Sequence, residues 1–258
     1  MFKPLIQLSR ISGGIAQFLD LLYPRFCTLC FRPLQSNTLN RFDCDLCESC
    51  VTGLTCSAGF CCERCGFVRP LERLGCHMCV LRNYAFDRTW VLGEYAGHLK
   101  RAVLAIKSSS GRPLAHALGA LIAEKVTWSK QQGAVAGFDI VLPVPTHWKR
   151  RLARRGSCVD IIAKRIASSL QTPFHDRMLT VTRVACKQGT LDAASRMVNV
   201  RDLFAIRKKH SVNRLKGKRV LLVDDVMTSG ATLHELAELL MRSEVRQVCC
   251  AVIARGAA

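Results

Sequence analysis

Residues 220–232 read VLLVDDVMTSGAT, and the fold turns on how this stretch is parsed. Val220 to Val223 are apolar and, with Arg219, predict a buried strand. Asp224 and Asp225 stand at its carboxyl end. Met227, Thr228, Ser229 and Gly230 then turn the chain into a helix predicted over Ala231 to Met241. In open α/β sheets the ligand crevice lies beyond the carboxyl ends of the strands. Here the turn offers backbone N–H groups, hydroxyls and a helix N-terminus to a phosphate. The two neighbouring carboxylates suit ribose hydroxyls or Mg²⁺. Phosphate and sugar diol side by side describe a ribose 5-phosphate. The stretch is neither a Walker loop, lacking Gly-Lys-Ser/Thr, nor a Gly-x-Gly-x-x-Gly fingerprint. The competing reading is two Asp that simply cap a helix.

Outward from this stretch, short apolar runs alternate with helical spacing. Strands are predicted over Thr89 to Leu92, Phe138 to Val144 and Gln247 to Ile253. Helices are predicted over Leu99 to Ile106, Leu114 to Val126 and Cys158 to Leu170. Alternation of this kind argues for an α/β domain whose parallel sheet is flanked by helices.

The front of the chain is different. Eleven of the 15 cysteines fall between Cys27 and Cys79. Four Cys-x-x-Cys pairs follow one another: Cys27/Cys30, Cys47/Cys50, Cys62/Cys65 and Cys76/Cys79. Each such turn aims two thiolates at one point, and two turns complete the tetrahedron that Zn²⁺ prefers. Eight ligands make two closed structural Zn sites, a double zinc ribbon holding a segment too small for its own core. Sequential pairing is the simpler arrangement. Spacing alone also allows interleaving, or a ligand exchange with Cys44 or Cys61. His77, inside the last pair, is read as incidental.

The domain boundaries follow from this step in composition: an amphipathic helix within 1–26, the double ribbon over 27–86, and the α/β domain over 87–258. Leu5, Leu8, Ile15, Phe18, Leu19 and Leu22 carry the first helix, which either packs on its own protein or lies peripherally on the inner membrane. No run of about 18 apolar residues free of charge occurs, so no transmembrane helix is expected. An odd number of cysteines without a convincing secretory signal points to a reducing, cytoplasmic location.

With 38 Lys and Arg against 19 Asp and Glu, the net charge is +19, which fits a polyanionic partner. Up to Phe86 the chain has 9 basic and 6 acidic residues; from Asp87 onward it has 29 and 13, so the charge belongs to the α/β domain. Lys149, Arg150, Arg151, Arg154 and Arg155 form one cluster, suited to a pyrophosphate or to solvent. Arg207, Lys208, Lys209, Arg214, Lys216, Lys218 and Arg219 form another, and the two together could make a nucleic-acid track. Lys107 and Arg112, around an SSSG turn, are a further candidate anion clamp.

The 220–232 stretch resembles the 13-residue phosphoribosyl-pyrophosphate (PRPP) motif of type I phosphoribosyltransferases. Taken with the cysteines, the chain resembles the ComF family, competence-associated proteins with an N-terminal double zinc ribbon and a type I phosphoribosyltransferase-like domain. The resemblance runs from LDLLYPRFCTLC onward through residues 86–112 (FDRTWVLGEYAGHLKRAVLAIKSSSGR) and 140–156 (IVLPVPTHWKRRLARRG). It continues over the spaced Arg183, Lys187-Gln188, Leu191, Arg196, Asn199 and Phe204. One departure stands out: after Arg155-Gly156 the family continues Phe-Asn-Gln, whereas this chain has Ser157-Cys158-Val159.

The resemblance implies a PRPP or ribose 5-phosphate ligand with Mg²⁺. Met227, Thr228, Ser229, Gly230, Ala231 and Thr232 would surround the 5-phosphate. Asp224 and Asp225 would hold the ribose hydroxyls and act as the catalytic pair, while Lys107, Arg151 and Arg155 would face the pyrophosphate. Single-stranded DNA and a competence helicase or DNA-processing protein are the implied partners. Three functions fit: a PRPP-binding protein of DNA uptake, a phosphoribosyltransferase of nucleotide metabolism or base salvage, and a catalytically inactive nucleic-acid-binding module. No acceptor base is legible; the hood that would choose one comes from Arg183 to Phe204. His175, His210 and His234 are read as surface or packing residues.

Overall fold

The computed structural model describes residues 24–34, 44–55, 60–69, 75–108, 110–145, 157–182, 203–207 and 214–256. In chain order its elements are α1 (Glu48–Thr55), β1 (Phe60–Cys61), β2 (Val68–Arg69), α2 (His77–Leu81), β3 (Arg88–Glu94), α3 (Gly97–Ala105) and α4 (Arg112–Gln131). They continue as β4 (Ile140–Pro143), α5 (Cys158–Ser169), β5 (Leu179–Val181), β6 (Phe204–Ile206), β7 (Arg219–Met227), α6 (Ala231–Met241) and β8 (Gln247–Arg255). The N-terminal helix predicted within 1–26 falls almost wholly outside the described residues, as does the 183–202 part of the hood.

Four strands form a parallel sheet in the order β3-β8-β7-β4, as the alternation of strand and helix predicts. Because the strands are parallel, all four carboxyl ends meet along one edge. The alternation of side chains fixes what covers each face. On one face Leu221, Val223, Cys249, Ala251 and Ile253 pack with α3, α4 and α5. On the other, Val220, Leu222, Val248, Cys250 and Val252 pack with α6 and with Leu179 and Phe204 of the antiparallel β5–β6 pair.

Three strands run further than their apolar runs suggest, β3 among them, which spans Arg88–Glu94 against the predicted Thr89 to Leu92. β7 continues through both aspartates to Met227, and β8 continues to Arg255. The cause is tertiary: the ladder pairs Asp224 with Val252, Val226 with Ala254 and Met227 with Arg255, so neighbouring backbone sustains the strand where the side chains turn polar.

The N-terminal modules flank the sheet on opposite faces. Cys27, Leu46, Cys50 and Leu54 join the α3–α4–α5 side, whereas Cys62, Cys65 and Met78 join the α6 side. β3 is an edge strand, and the second module covers it. Thr89 donates its N–H to the Glu63 carbonyl at 2.8 Å and its hydroxyl to the Arg64 carbonyl at 2.7 Å. Arg88 pairs with Glu63 at 2.6 Å. Covering an edge in this way removes a template for unwanted strand pairing.

At the opposite end of the sheet, the Asp139 carboxylate accepts the Arg219 backbone N–H at 2.8 Å and the Arg219 guanidinium at 3.1 Å. These bonds from Arg219 hold the Asp139 carboxyl below its usual range. A depressed acid contributes stability that is present above its unfolded value, about 4, and is lost as pH falls through the folded value. Asp139→Ala is therefore expected to cost about 1 kcal/mol at pH 7, lowering the melting temperature by roughly 2–4 °C. Thermal scans between pH 7 and pH 3 should show the gap between variant and wild type closing on acidification; a gap independent of pH would contradict the ion-pair account.

Candidate active site

The acid pair lies at the carboxyl edge of the sheet, on the second strand from the β4 side. The Asp225 N–H donates to Asp224 Oδ1 at 2.8 Å, which curls the two carboxylates around one peptide. Burial, and then the negative charge of Asp225, push the Asp224 carboxyl well above the usual carboxylate range. Asp225 is relieved by Lys107, whose Nζ lies 3.1 Å from its Oδ2. Lys107 follows α3 on a turn that closes against that helix, so a residue distant in sequence is delivered to the acid pair. Gly111 makes this turn possible, because a Cβ there would lie 2.4 Å from the Ala105 carbonyl oxygen. Arg112, the other residue proposed for the clamp, opens α4 and is exposed.

Beyond Asp225 the chain runs through buried Met227, exposed Thr228 and buried Ser229 into Gly230, the residue before α6. Gly230 has φ +78°, and a Cβ there would lie 2.6 Å from Met227 Cε and 2.7 Å from Tyr84 Cε1. Both the backbone sign and the space favour glycine here. Ser229 Oγ accepts the Ala231 N–H at 3.3 Å, a local bond that holds the first turn of α6. Ala231 is buried and Thr232 half-buried within that turn. The arrangement has the parts of an anion site: a left-handed glycine, a helix N-terminus and a nearby lysine.

Several residues that the sequence reading passed over support this loop from behind. Arg255, 1% exposed, ends β8. Its Nη1 donates to the carbonyls of Met227 (2.9 Å), Thr228 and Gly256 (2.8 Å), and its Nε donates to that of Cys65 at 3.0 Å. Arg82 Nη1 and the Tyr84 hydroxyl both donate to the Ser229 carbonyl, at 2.5 and 3.0 Å. His234, read from the sequence as a surface or packing residue, accepts the Ala85 N–H on Nδ1 at 3.0 Å. The signal available for Arg255 was its place: a cation directly after the apolar run VCCAVIA at 248–254.

Of the remaining site residues, Arg151 and Arg155 lie outside the described residues, with the rest of 146–156. Pro145, which precedes that segment, is at the carboxyl edge of the sheet, whereas Lys216 to Arg219 lead into the amino end of β7. Within the second, Arg219 is committed to Asp139 and Lys216 pairs with Glu244 at 2.5 Å.

The eight cysteines gather into two sets, Cys27, Cys30, Cys47 and Cys50, and Cys62, Cys65, Cys76 and Cys79, each with its sulfurs within 4.8 Å of one another. Cys44 and Cys61 belong to neither set. Close sulfur pairs are Cys30–Cys47 at 3.6 Å, Cys62–Cys79 at 3.7 Å and Cys65–Cys76 at 3.5 Å. A disulfide would need about 2.05 Å, while a tetrahedron with metal–sulfur bonds of about 2.3 Å has edges near 3.8 Å. Both sets could therefore hold a metal ion, consistent with zinc ribbons. His77 is no ligand; its ring packs edge-on to Phe67 at 5.0 Å.

The parallel sheet and the loop at its carboxyl edge define a phosphoribosyltransferase-like fold, and residues 157–258 match the phosphoribosyl transferase domain family. Over 224 residues the chain is 27% identical to the DNA utilization protein YhgH of Escherichia coli O157:H7, covering 86% of this chain and 93% of that protein. Over 187 residues it is 24% identical to the competence protein F of Haemophilus influenzae, covering 72% and 81% respectively. The chain is thus a homologue of both. Among solved structures it is similar to the glutamine PRPP amidotransferase of B. subtilis, with a TM-score of 0.36 and 21% identity over 55% of this chain. It spans 27% of that structure's length. No helix among the described residues is long and apolar enough to cross a membrane.

Gly230→Ala should distort the loop, since both the positive φ and the 2.6 Å approach to Met227 must be relieved. A stability loss of about 1–3 kcal/mol is expected for strain of this kind, measured by denaturant titration. A variant as stable as wild type would mean that the loop is not held as described.

Proposed function

We propose that this chain binds PRPP, or a ribose 5-phosphate, with Mg²⁺ at the carboxyl edge of its sheet, and that it serves the handling of single-stranded DNA in natural transformation. The observation that carries the ligand reading is the convergence of Lys107 on Asp225 at 3.1 Å, directly before the Thr228–Thr232 loop. Cation, acid pair and helix N-terminus together match a phosphorylated, pyrophosphorylated sugar. The 5-phosphate would take the backbone N–H groups of the loop and the hydroxyls of Thr228 and Thr232. Asp224 and Asp225 would hold the ribose 2- and 3-hydroxyls. Lys107 would then exchange its bond to Asp225 for an anionic oxygen of the ligand, so that the ion pair serves as the resting form of the site. Arg151 and Arg155 would complete the pyrophosphate clamp. Mg²⁺ would neutralise charge on the pyrophosphate oxygens; the residues suited to accept it are the same two aspartates.

The names of the relatives, DNA utilization protein and competence protein, support the DNA branch, as does the charge of +19. In this reading the ion at each cysteine set is Zn²⁺, in a structural role. Closed sets of four thiolates leave no open coordination position for chemistry.

Isothermal titration with Mg²⁺ and PRPP tests the ligand reading. Asp224→Asn/Asp225→Asn should weaken binding at least tenfold, and unchanged affinity would refute the assignment of the site. The pH dependence supplies a sharper check. A carboxyl raised by burial and by Asp225 ionises only above the usual range, so affinity should rise as pH climbs through that value. Asp225→Asn removes the repelling charge and should move the rise to lower pH. A midpoint that stays in place would separate Asp224 from ligand binding.

Metal analysis of the purified protein should find about two zinc ions per chain if both sets are filled. Acidification should release them, because the ligands are thiolates and protons compete for the sulfurs. One ion or none would break the double-ribbon reading.

A further inference from the structure

The second cysteine module and the phosphate loop are physically continuous. Arg64, between Cys62 and Cys65, donates to the Tyr84 carbonyl at 2.6 Å and to Asn83 Oδ1 at 3.3 Å, tying the knuckle to the segment that follows Cys79. That segment then reaches the loop through Arg82 and Tyr84, both bonded to the Ser229 carbonyl. From the other side Arg255 spans the Cys65 carbonyl and the carbonyls of Met227 and Thr228. The Tyr84 ring also closes on Gly230. Three successive carbonyls of the loop, at 227, 228 and 229, are therefore held by groups that belong to the module or bridge to it.

A trans peptide plane points its carbonyl and the N–H of the next residue in opposite directions. Holding the carbonyls of Met227, Thr228 and Ser229 toward the module consequently aims the N–H groups of Thr228, Ser229 and Gly230 away from it. Arg255 is suited to this role because its acceptors among the described residues are all backbone carbonyls, and its buried Nη2 has no partner. The guanidinium is thus aimed by the loop and the knuckle together, and loses an acceptor if either moves.

We propose that the second Cys₄ site is coupled to the ligand loop: metal at Cys62, Cys65, Cys76 and Cys79 sets the direction of the loop's N–H groups, and anion binding at the loop in turn holds the metal. Arg255, Arg82 and Tyr84 are the positioning residues that carry the coupling. The proposal rests on the PRPP reading for the identity of the anion, but not for the coupling itself. Among the described residues, no hydrogen bond given above joins the first cysteine set to residues 227–230; that set packs instead among residues of α3 and serves as the comparison for exchange in the loop.

Hydrogen–deuterium exchange on the full-length, metal-loaded protein under reducing conditions tests it. Cys79→Ser should lose one metal and speed exchange at least tenfold across 226–234, and PRPP should bind it at least tenfold more weakly. Cys30→Ser should also lose one metal while exchange across 226–234 stays as in wild type. Arg82→Met, which keeps every thiol, should retain both metals and show a smaller acceleration of about threefold; this variant guards against general unfolding of the module. Because coupling free energy is reciprocal, PRPP should slow the release of one of the two metals to a zinc-selective chelator markedly more than that of the other. Unaltered loop exchange in Cys79→Ser, or equal effects from Cys30→Ser and Cys79→Ser, would overturn the coupling. If wild type binds no PRPP but its loop still responds to Cys79→Ser, the coupling stands and the ligand reading falls.

Discussion

A single buried guanidinium constrains the site. Arg255 lies at the end of the β8 strand, beside Met227 in the sheet register, with its donors spread over the carbonyls of Cys65, Met227, Thr228 and Gly256. Burying a cation is costly unless charge-assisted hydrogen bonds offset the lost hydration. Burial accordingly makes this guanidinium somewhat easier to deprotonate than usual. Arginine keeps its charge under such conditions where lysine would give it up. Two of the carbonyls that answer this charge, those of Met227 and Thr228, belong to the chain that follows the acid pair, so the shape of the turn and the burial of the arginine are solved together.

The cysteine modules fit the same logic. Neither is large enough to hold itself together by apolar burial, and each contributes its interior side chains to one face of the sheet. The first module packs among residues that include Leu99, Ala102 and Val103 of the helix leading to Lys107. The second covers the β3 edge and backs the loop. Thus the cation that meets Asp225 and the turn that follows Asp225 are each buttressed by a different cysteine set.

What the sequence made legible was local. The run from Val220 to Thr232 joins strand, acids, turn and helix within one continuous segment, and α6 occupies the span that its apolar spacing predicts, Ala231–Met241. The four Cys-x-x-Cys pairs were visible because each turn sets its own geometry. Whether the pairs were sequential or interleaved required the fold. Strand lengths were misjudged where pairing with a neighbour, rather than side-chain pattern, sustains the ladder: Asp224 to Met227 and Ala254 to Arg255 belong to strands despite their polar members. Arg82, Tyr84 and Arg255 escaped notice because their partners lie 147, 145 and up to 190 residues away. A charge run can also mislead. Arg219 and Lys216 look like part of a continuous basic face, yet both are engaged with acidic partners at the edge of the sheet opposite the acid pair.

In the site proposed above, the backbone of the turn after Asp225 is held with its amides facing outward for an anion. Amide nuclear magnetic resonance of the ¹⁵N-labelled protein during titration with PRPP and Mg²⁺ addresses it directly. The account predicts that the amide resonances of Thr228, Ser229 and Gly230 move downfield together and saturate with a common dissociation constant. If those three signals stay in place while the ligand binds, the anion is held elsewhere and the account is wrong.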